Sequence, residues 1–246
     1  MRAPVDTVAA PLVPTNLPWV NAAKPLSTIQ RGKPMLVEFW DFCRPNSIRT
    51  LPYIKAWHER YGPQGLRVIG VHSPGFDASR ERHAVEQAVL RLDISHPVLI
   101  DSDLDVWRDY ENEGWPVRYL FDGRARLFEY HYGEGGYEET ELAIQELLGI
   151  TRQTLAPVRV EDAPGADLLP QTQDQPGLYS GPYEAGGVWV VLDGRGMVVV
   201  NGRPLEISQA GAYPLIEHGR HTEAVIDLKL EGDLRCLSTC FTPGVA

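Results

Sequence analysis

The chain has 246 residues with 43% hydrophobic and 23% charged content, which suits one large domain or two ordinary ones and excludes bulk disorder. Its formal net charge of -10 argues against nucleic acid or an anionic membrane surface as partner, because phosphate recognition needs clustered Lys and Arg. No apolar run reaches bilayer length and Met1 to Ser27 lacks the apolar stretch of a signal peptide. Three cysteines fit a reducing compartment, so the expected location is cytoplasmic, or extracytoplasmic if a leader has been trimmed away.

The first half alternates strand and helix patterns. Met35 to Trp40 is a continuous apolar run with one acid, the pattern of a strand buried on both faces. Ser47 to Tyr61 has helical spacing, with Ile48, Leu51, Ile54 and the Trp57-His58 turn on one side and Pro52 placed to bend it. A strand over Arg67 to His72, a helix over Ala78 to Leu92, a strand over Pro97 to Ile100 and a brief helix over Asp103 to Glu111 follow. Val117 to Phe121 and Leu127 to Tyr132 read as strands joined at Asp122-Gly123, a hairpin signal. Tyr137 to Leu148 is an amphipathic helix stopped by Gly149.

Beyond it the texture changes. Residues 151–182 are rich in Pro, Gly, Gln and Asp and read as a connector. Short β-rich runs then follow, at Val188 to Leu192, Met197 to Asn201, Leu205 to Ile207, Ala224 to Leu230 and Leu234 to Phe241. Asp193-Gly194, Asn201-Gly202 and Glu231-Gly232 punctuate them as expected turns. The predicted organisation is an N-terminal extension (1–16), an α/β domain (17–150), the connector, and an all-β sandwich (183–246).

The chemistry-bearing stretch runs from Val37 to Tyr53. A strand enters a Phe39-Trp40 pair, a short polar turn follows, and a helix with an early proline leaves it. Phe39, Trp40, Asn46, Ile48 to Tyr53 and Lys55-Ala56-Trp57 match, without a gap, the thioredoxin-like domains of the TlpA and DipZ type. Gly70-Val71-His72, Trp115-Pro116 and Gly133-Glu134-Gly135 extend the resemblance, which covers about residues 17 to 149. More weakly, the β-rich tail resembles the carbohydrate-binding-module-like domain of DipZ relatives.

The resemblance implies a mixed sheet flanked by helices and a Cys-x-x-Cys turn at a helix N-terminus. Here that turn reads Arg44-Pro45-Asn46-Ser47, with Cys43 one position early. Without a second thiol a two-cysteine exchange cycle cannot close locally. Cys43 is then either a lone nucleophile, with Arg44 stabilising its thiolate, or a buried small hydrophobe. Trp40, three residues before it, stands where a peroxiredoxin site wants threonine. Arg44 and Ser47 either cradle a small anion or carboxylate, or the segment caps the helix through Asn46 or Ser47. By resemblance, Glu38 takes the place of the buried acid that moves protons for the resolving cysteine, and remains here as either that acid or a structural one. Trp115-Pro116 matches the loop whose cis-proline faces the turn and lends a strand edge to bound peptides.

Other candidates are thinner. Cys236 and Cys240 on one strand would stand about 13 Å apart, against under about 7 Å for a disulfide. Tyr179, Tyr183, Trp189 and Tyr213 are either a sugar-stacking face or β-domain core. The sequence carries no metal cluster, phosphate loop or cofactor motif. Two functional readings remain open: a divergent thiol-disulfide oxidoreductase acting on protein thiols through Cys43, catalytic with Glu38, or a redox-inactive module. The second holds an extended peptide or small anion between the Arg44 turn and the Pro116 loop, around Trp40, Ser47 and Trp115, with a glycan as possible ligand of the tail.

Overall fold

The computed structural model describes residues 1–3, 8–22 and 32–246. Residues 4–7 of the expected extension and 23–31 of the expected first domain, including the end of the Met1 to Ser27 stretch, lie outside the described residues. The chain divides into two compact units: Met1–Asp41 with Asn46–Ala156, and Phe42–Pro45 with Pro157–Ala246.

In the first unit β2 (Met35–Trp40), β3 (Arg67–His72) and β4 (Val98–Ile100) run parallel, and every residue of β2 is buried, as its unbroken apolar run requires. β1 (Trp19–Val20), β5 (Val117–Phe121) and β6 (Leu127–Tyr132) add antiparallel, giving the order β1-β4-β3-β2-β5-β6. The period of two splits the core between the sheet faces. Val37, Phe39, Ile69, Val71 and Val117 pack on one side with Val106. On the other, Leu36, Val68 and Leu120 meet Tyr53, Ile54, Trp57 and Tyr61 of α1 (Pro45–Tyr61) and Ile144 of α4 (Tyr137–Leu148). Full burial of side chains this large stabilises by about 1.5–3 kcal/mol each.

Helix boundaries differ from the expected ones for local reasons. α1 opens on Pro45, where a proline costs no hydrogen bond, and continues through Pro52. The expected Ala78 to Leu92 helix is a 3-10 turn (Asp77–Ser79), tied by Ser79 Oγ donating to the Phe76 carbonyl, followed by α2 (Arg82–Arg91). α3 shrinks to Asp105–Asp109 because Leu104 turns left-handed (φ 61°) and the Asp101 carboxylate caps the Val106 and Trp107 N–H groups. Gly149 ends α4 left-handed, at φ 64°. The N-terminal segment pairs with the edge of β6, through Ala3 N–H to Phe128 O and Leu127 N–H to Val8 O.

The second unit is an antiparallel β-sandwich made of longer strands than the sequence predicts. β9 (Gly181–Val200), β11 (Gly211–Ile226) and β12 (Leu228–Thr242) replace the expected short ones, with β10 (Arg203–Ile207) between. β7 (Leu168–Leu169) pairs with β13 (Gly244–Val245), and β8 (Gln175–Pro176) with β12, so sheet pairing begins inside the expected connector. Of the expected turns only Asn201-Gly202 reverses the chain, with both residues at positive φ. Gly194, Gly196 and Gly232 kink their strands without breaking them: β9 and β12 stay paired through Gly196↔Gly232 and Gly194↔Leu234. A Cβ at Gly194 would lie 2.0 Å from the Asp233 carbonyl oxygen, so backbone packs where a side chain cannot. The kink folds β9 over, and Val188, Val190 and Leu192 share one core with Val198 and Val200 from its other half.

A register shift between Cys236 and Ser238 reverses which face successive residues occupy. Cys236 and Phe241 therefore meet the core while Cys240 points away from it, and both thiols are free. Tyr183 and Trp189 are buried, and Tyr179 and Tyr213 pack against the core, so these four rings form no open stacking face.

Candidate functional site at the degenerate turn

β2 carries Glu38 and Trp40 to the sheet face covered by α1. Glu38 has no exposed surface, pairs in register with Gly70 on one side and Arg118 on the other, and both its carboxylate oxygens lack a hydrogen-bond partner. Burial pushes its pKa up to about 8, against the pull of the Arg118 charge. Arg118 is itself buried. It donates to the Gly135 carbonyl at 2.5 Å and stacks its guanidinium 4.9 Å from the Tyr137 ring centre. At neutral pH this places a protonated acid beside a buried cation.

Trp40 is also fully buried, edge-on to His72 with ring centres 5.0 Å apart. The next residue, Asp41, organises the strand end. Its N–H donates to Ser47 Oγ at 3.2 Å, its Oδ2 accepts from Gly75 N–H at 2.8 Å, and its Oδ1 lies 3.5 Å from His72 Nε2. Ser47 is thus a buried acceptor on the first turn of α1. Further along the same end, Ser73 Oγ donates to Asp101, and Trp115 Nε1 donates to the Ser73 carbonyl at 2.9 Å. Trp115-Pro116 is a cis peptide; Pro116 is buried, and the half-buried Trp115 stacks on Trp107 at 4.1 Å between ring centres.

Cys43 and Arg44 belong to the second unit, where the Ala212 N–H donates to the Phe42 carbonyl at 2.9 Å. Cys43 has 0% exposed surface, and Arg44 is half-buried. A thiol without surface meets no incoming disulfide. Burial pushes the Cys240 thiol up to about 12 and raises Cys236 as well, so neither is an activated nucleophile.

Of the seven residues singled out from sequence, the structure gathers Glu38, Trp40, Ser47, Trp115 and Pro116 in the first unit. Glu38, Trp40, Cys43 and Ser47 are without exposed surface, and Pro116 is buried. Sequence reasoning missed Asp41, Trp107, Arg118, His58 and His96. Arg118 was detectable as a charge inside a predicted strand, and Asp41 as an acid directly after one. The histidines stand 38 positions apart, and only the fold brings them together. Among the described residues no group of three or more His, Cys, Asp or Glu side chains is arranged to hold a metal. No helix among them is long and apolar enough to cross a membrane.

Comparison with known proteins now bears on this geometry. No family model matches the chain. Protein DipZ of Mycobacterium tuberculosis is 30% identical over 179 residues, which is 70% of this chain and 26% of DipZ. Thiol-disulfide oxidoreductase YkuV of Bacillus subtilis is 26% identical over 133 residues, 54% of this chain and 89% of YkuV. Among solved structures, a thiol-disulfide isomerase from Corynebacterium glutamicum superposes with a TM-score of 0.52 at 24% identity, covering 58% of this chain and 98% of its own. A thioredoxin-like protein in its oxidized form does so with a TM-score of 0.52 at 23% identity, covering 57% and 95%. The first unit is a thioredoxin-like domain with DipZ and thiol-disulfide oxidoreductases among its homologues. The chain spans about a quarter of the length of the DipZ proteins it matches. In this thioredoxin-like domain the Trp115-Pro116 peptide is cis and Glu38 is fully buried.

Proposed function

We propose that this thioredoxin-family domain has lost its own exchange step and serves to hold an extended segment of a partner protein along the Trp115-Pro116 loop. The observation that carries this reading is the complete burial of Cys43. Exchange needs a thiolate in line with a disulfide sulfur and a second thiol to resolve the mixed disulfide. An inaccessible Cys43 provides neither. Recognition survives such a loss: the cis-proline loop precedes the fifth strand, and Trp107 and Trp115 present a stacked, half-buried aromatic pair beside it. Ser47 presents no surface to a small anion: it is buried, and its Oγ accepts from the Asp41 N–H.

One observation favours a second reading, a single-thiol oxidoreductase acting on protein thiols. Glu38 keeps the position and raised pKa, about 8, of an acid able to exchange protons with a thiol. The homology to thioredoxin-family redox proteins points the same way. Two measurements separate the readings. Carboxamidomethylated, reduced ribonuclease A serves as an extended probe that cannot exchange disulfides. The first reading expects Trp115→Ala to weaken its binding at least tenfold and Cys43→Ser to leave it unchanged; failure of the wild type to bind this probe refutes that reading. Insulin reduction by the wild type that vanishes in Cys43→Ser establishes the second.

A further inference from the structure

On the sheet face covered by α1, a set of buried polar atoms has no hydrogen-bond partner. These are both carboxylate oxygens of Glu38, Nε1 of Trp40, both ring nitrogens of His96, and Nδ1 of His58. Buried polar atoms in native proteins are nearly always bonded, and each one left unpaired costs about 1–3 kcal/mol. Several together on one layer mark a place where something small and polar binds.

The geometry brings them to one spot. Glu38 and Trp40 are two apart on β2 and share a face. Gly70 is the in-register neighbour of Glu38 on β3, one strand spacing of about 4.8 Å away. A Cβ at Gly70 would lie 3.0 Å from Trp40 Nε1 and 3.2 Å from His96 Nε2. The bare glycine therefore lets an indole N–H and an imidazole nitrogen converge on the strand beside the Glu38 side chain. A water there meets a donor from Trp40, a ring nitrogen of His96 and a carboxyl oxygen of Glu38, within the two to four partners a buried water takes. Beyond His96 the row continues to His58 on α1, half-buried, with the two rings 5.8 Å apart.

We propose that Glu38, Trp40 and His96 form an internal water site over Gly70, and that His96 and His58 pass protons between that water and solvent. One proton moves and no electron does. The Glu38 carboxyl O–H gives its proton to the water, and the water gives one of its own to His96 Nε2. The proton on His96 Nδ1 leaves toward His58, which exchanges with bulk water, and the reverse sequence reloads Glu38. The charged and titratable groups facing this row are Arg118 at Glu38, Lys55 and His58 at His96, and Glu59 at His58. Burial first, then the charges of His58 and Lys55, pushes His96 down to about 3, so the ring relays protons while remaining neutral. This path operates whether or not Cys43 exchanges disulfides.

The test is carbon-13 relaxation dispersion on the labelled Glu38 carboxyl, recorded in the full chain at its titration midpoint, with Glu38→Gln supplying the assignment. Gly70→Ala puts a methyl against both nitrogens, and His58→Phe cuts the outer end at a half-buried site. Both variants are expected to slow proton exchange at Glu38 at least tenfold while moving its midpoint by less than one pH unit. Unchanged exchange in His58→Phe overturns the path, even if Gly70→Ala does not fold. A high-resolution crystal structure with no solvent density among Glu38, Trp40 Nε1 and His96 overturns the site.

Discussion

Replacing Glu38 by glutamine should remove a loss of stability that this protein otherwise suffers as pH rises. The folded chain holds the Glu38 proton up to about pH 8, whereas the unfolded chain releases it near 4.5. Between those values the unfolded state binds fewer protons, so stability falls as pH rises and levels off above about 8. A shift of that size, at about 1.4 kcal/mol per unit, sets an upper limit of roughly 5 kcal/mol on the loss. Glutamine matches the volume, stays neutral, and gives up no hydrogen bond to another protein group, since neither Glu38 oxygen has a protein partner. Urea unfolding of wild type and Glu38→Gln from pH 5 to 9 measures the effect through tryptophan fluorescence, because Trp19, Trp40, Trp57, Trp107 and Trp115 all lie in the thioredoxin-like unit. Subtracting the two curves cancels the titration of distant groups. The variant should gain on the wild type steadily up to pH 8. A gap that stays flat within about 0.5 kcal/mol across the range would refute the argument that Glu38 is a desolvated acid.

Other expectations follow from the same physics. His96 has its folded pKa lowered to about 3, so the unfolded chain alone takes up a proton as pH drops from about 6.5. Wild-type stability should therefore fall on acidification while His96→Leu flattens that fall, as thermal melts at pH 7, 5 and 4 would show; parallel melts would count against it. Ser47→Ala leaves the buried Asp41 N–H without its acceptor and should cost about 1–3 kcal/mol in denaturant titration. Gly194→Ala combines a left-handed φ of 97° with a 2.0 Å clash on the Asp233 carbonyl. It should lower the melting point of the β-sandwich by several degrees, since loss of the left-handed preference alone costs about 1–2 kcal/mol.

Much of the thioredoxin-like unit was readable from the sequence because its signals are local. Arg67–His72, Val117–Phe121, Leu127–Tyr132 and Tyr137–Leu148 have the predicted bounds. Each is an apolar period closed by a turn or cap residue. The β-sandwich was less readable. Asp193-Gly194 and Glu231-Gly232 carry the composition of hairpin turns, yet Gly194 pairs with Leu234 and Gly232 with Gly196 along a continuous ladder, and both serve as kinks. Nothing in either dipeptide tells a turn from a kink; the partner strand decides it. β11 was missed because Pro214, Gly219 and its run of polar residues hide an alternation that only pairing with β9 reveals. At the site, the short polar turn between β2 and α1 was plain in the sequence. The burial of Cys43, and the meeting of His96 with Trp40 over a glycine, depend on chain segments far apart and needed the fold.

The twenty-residue strand β9 also limits how the β-sandwich can be cut and rejoined. It pairs with β10, β11 and β12, so new termini opened inside it would detach three neighbours at once. The exposed Asn201-Gly202 turn is different: its chain reverses there with nothing packed above Gly202. A circular permutant opened at that turn keeps every ladder, whereas one opened at Gly194 severs the strand that β10, β11 and β12 share.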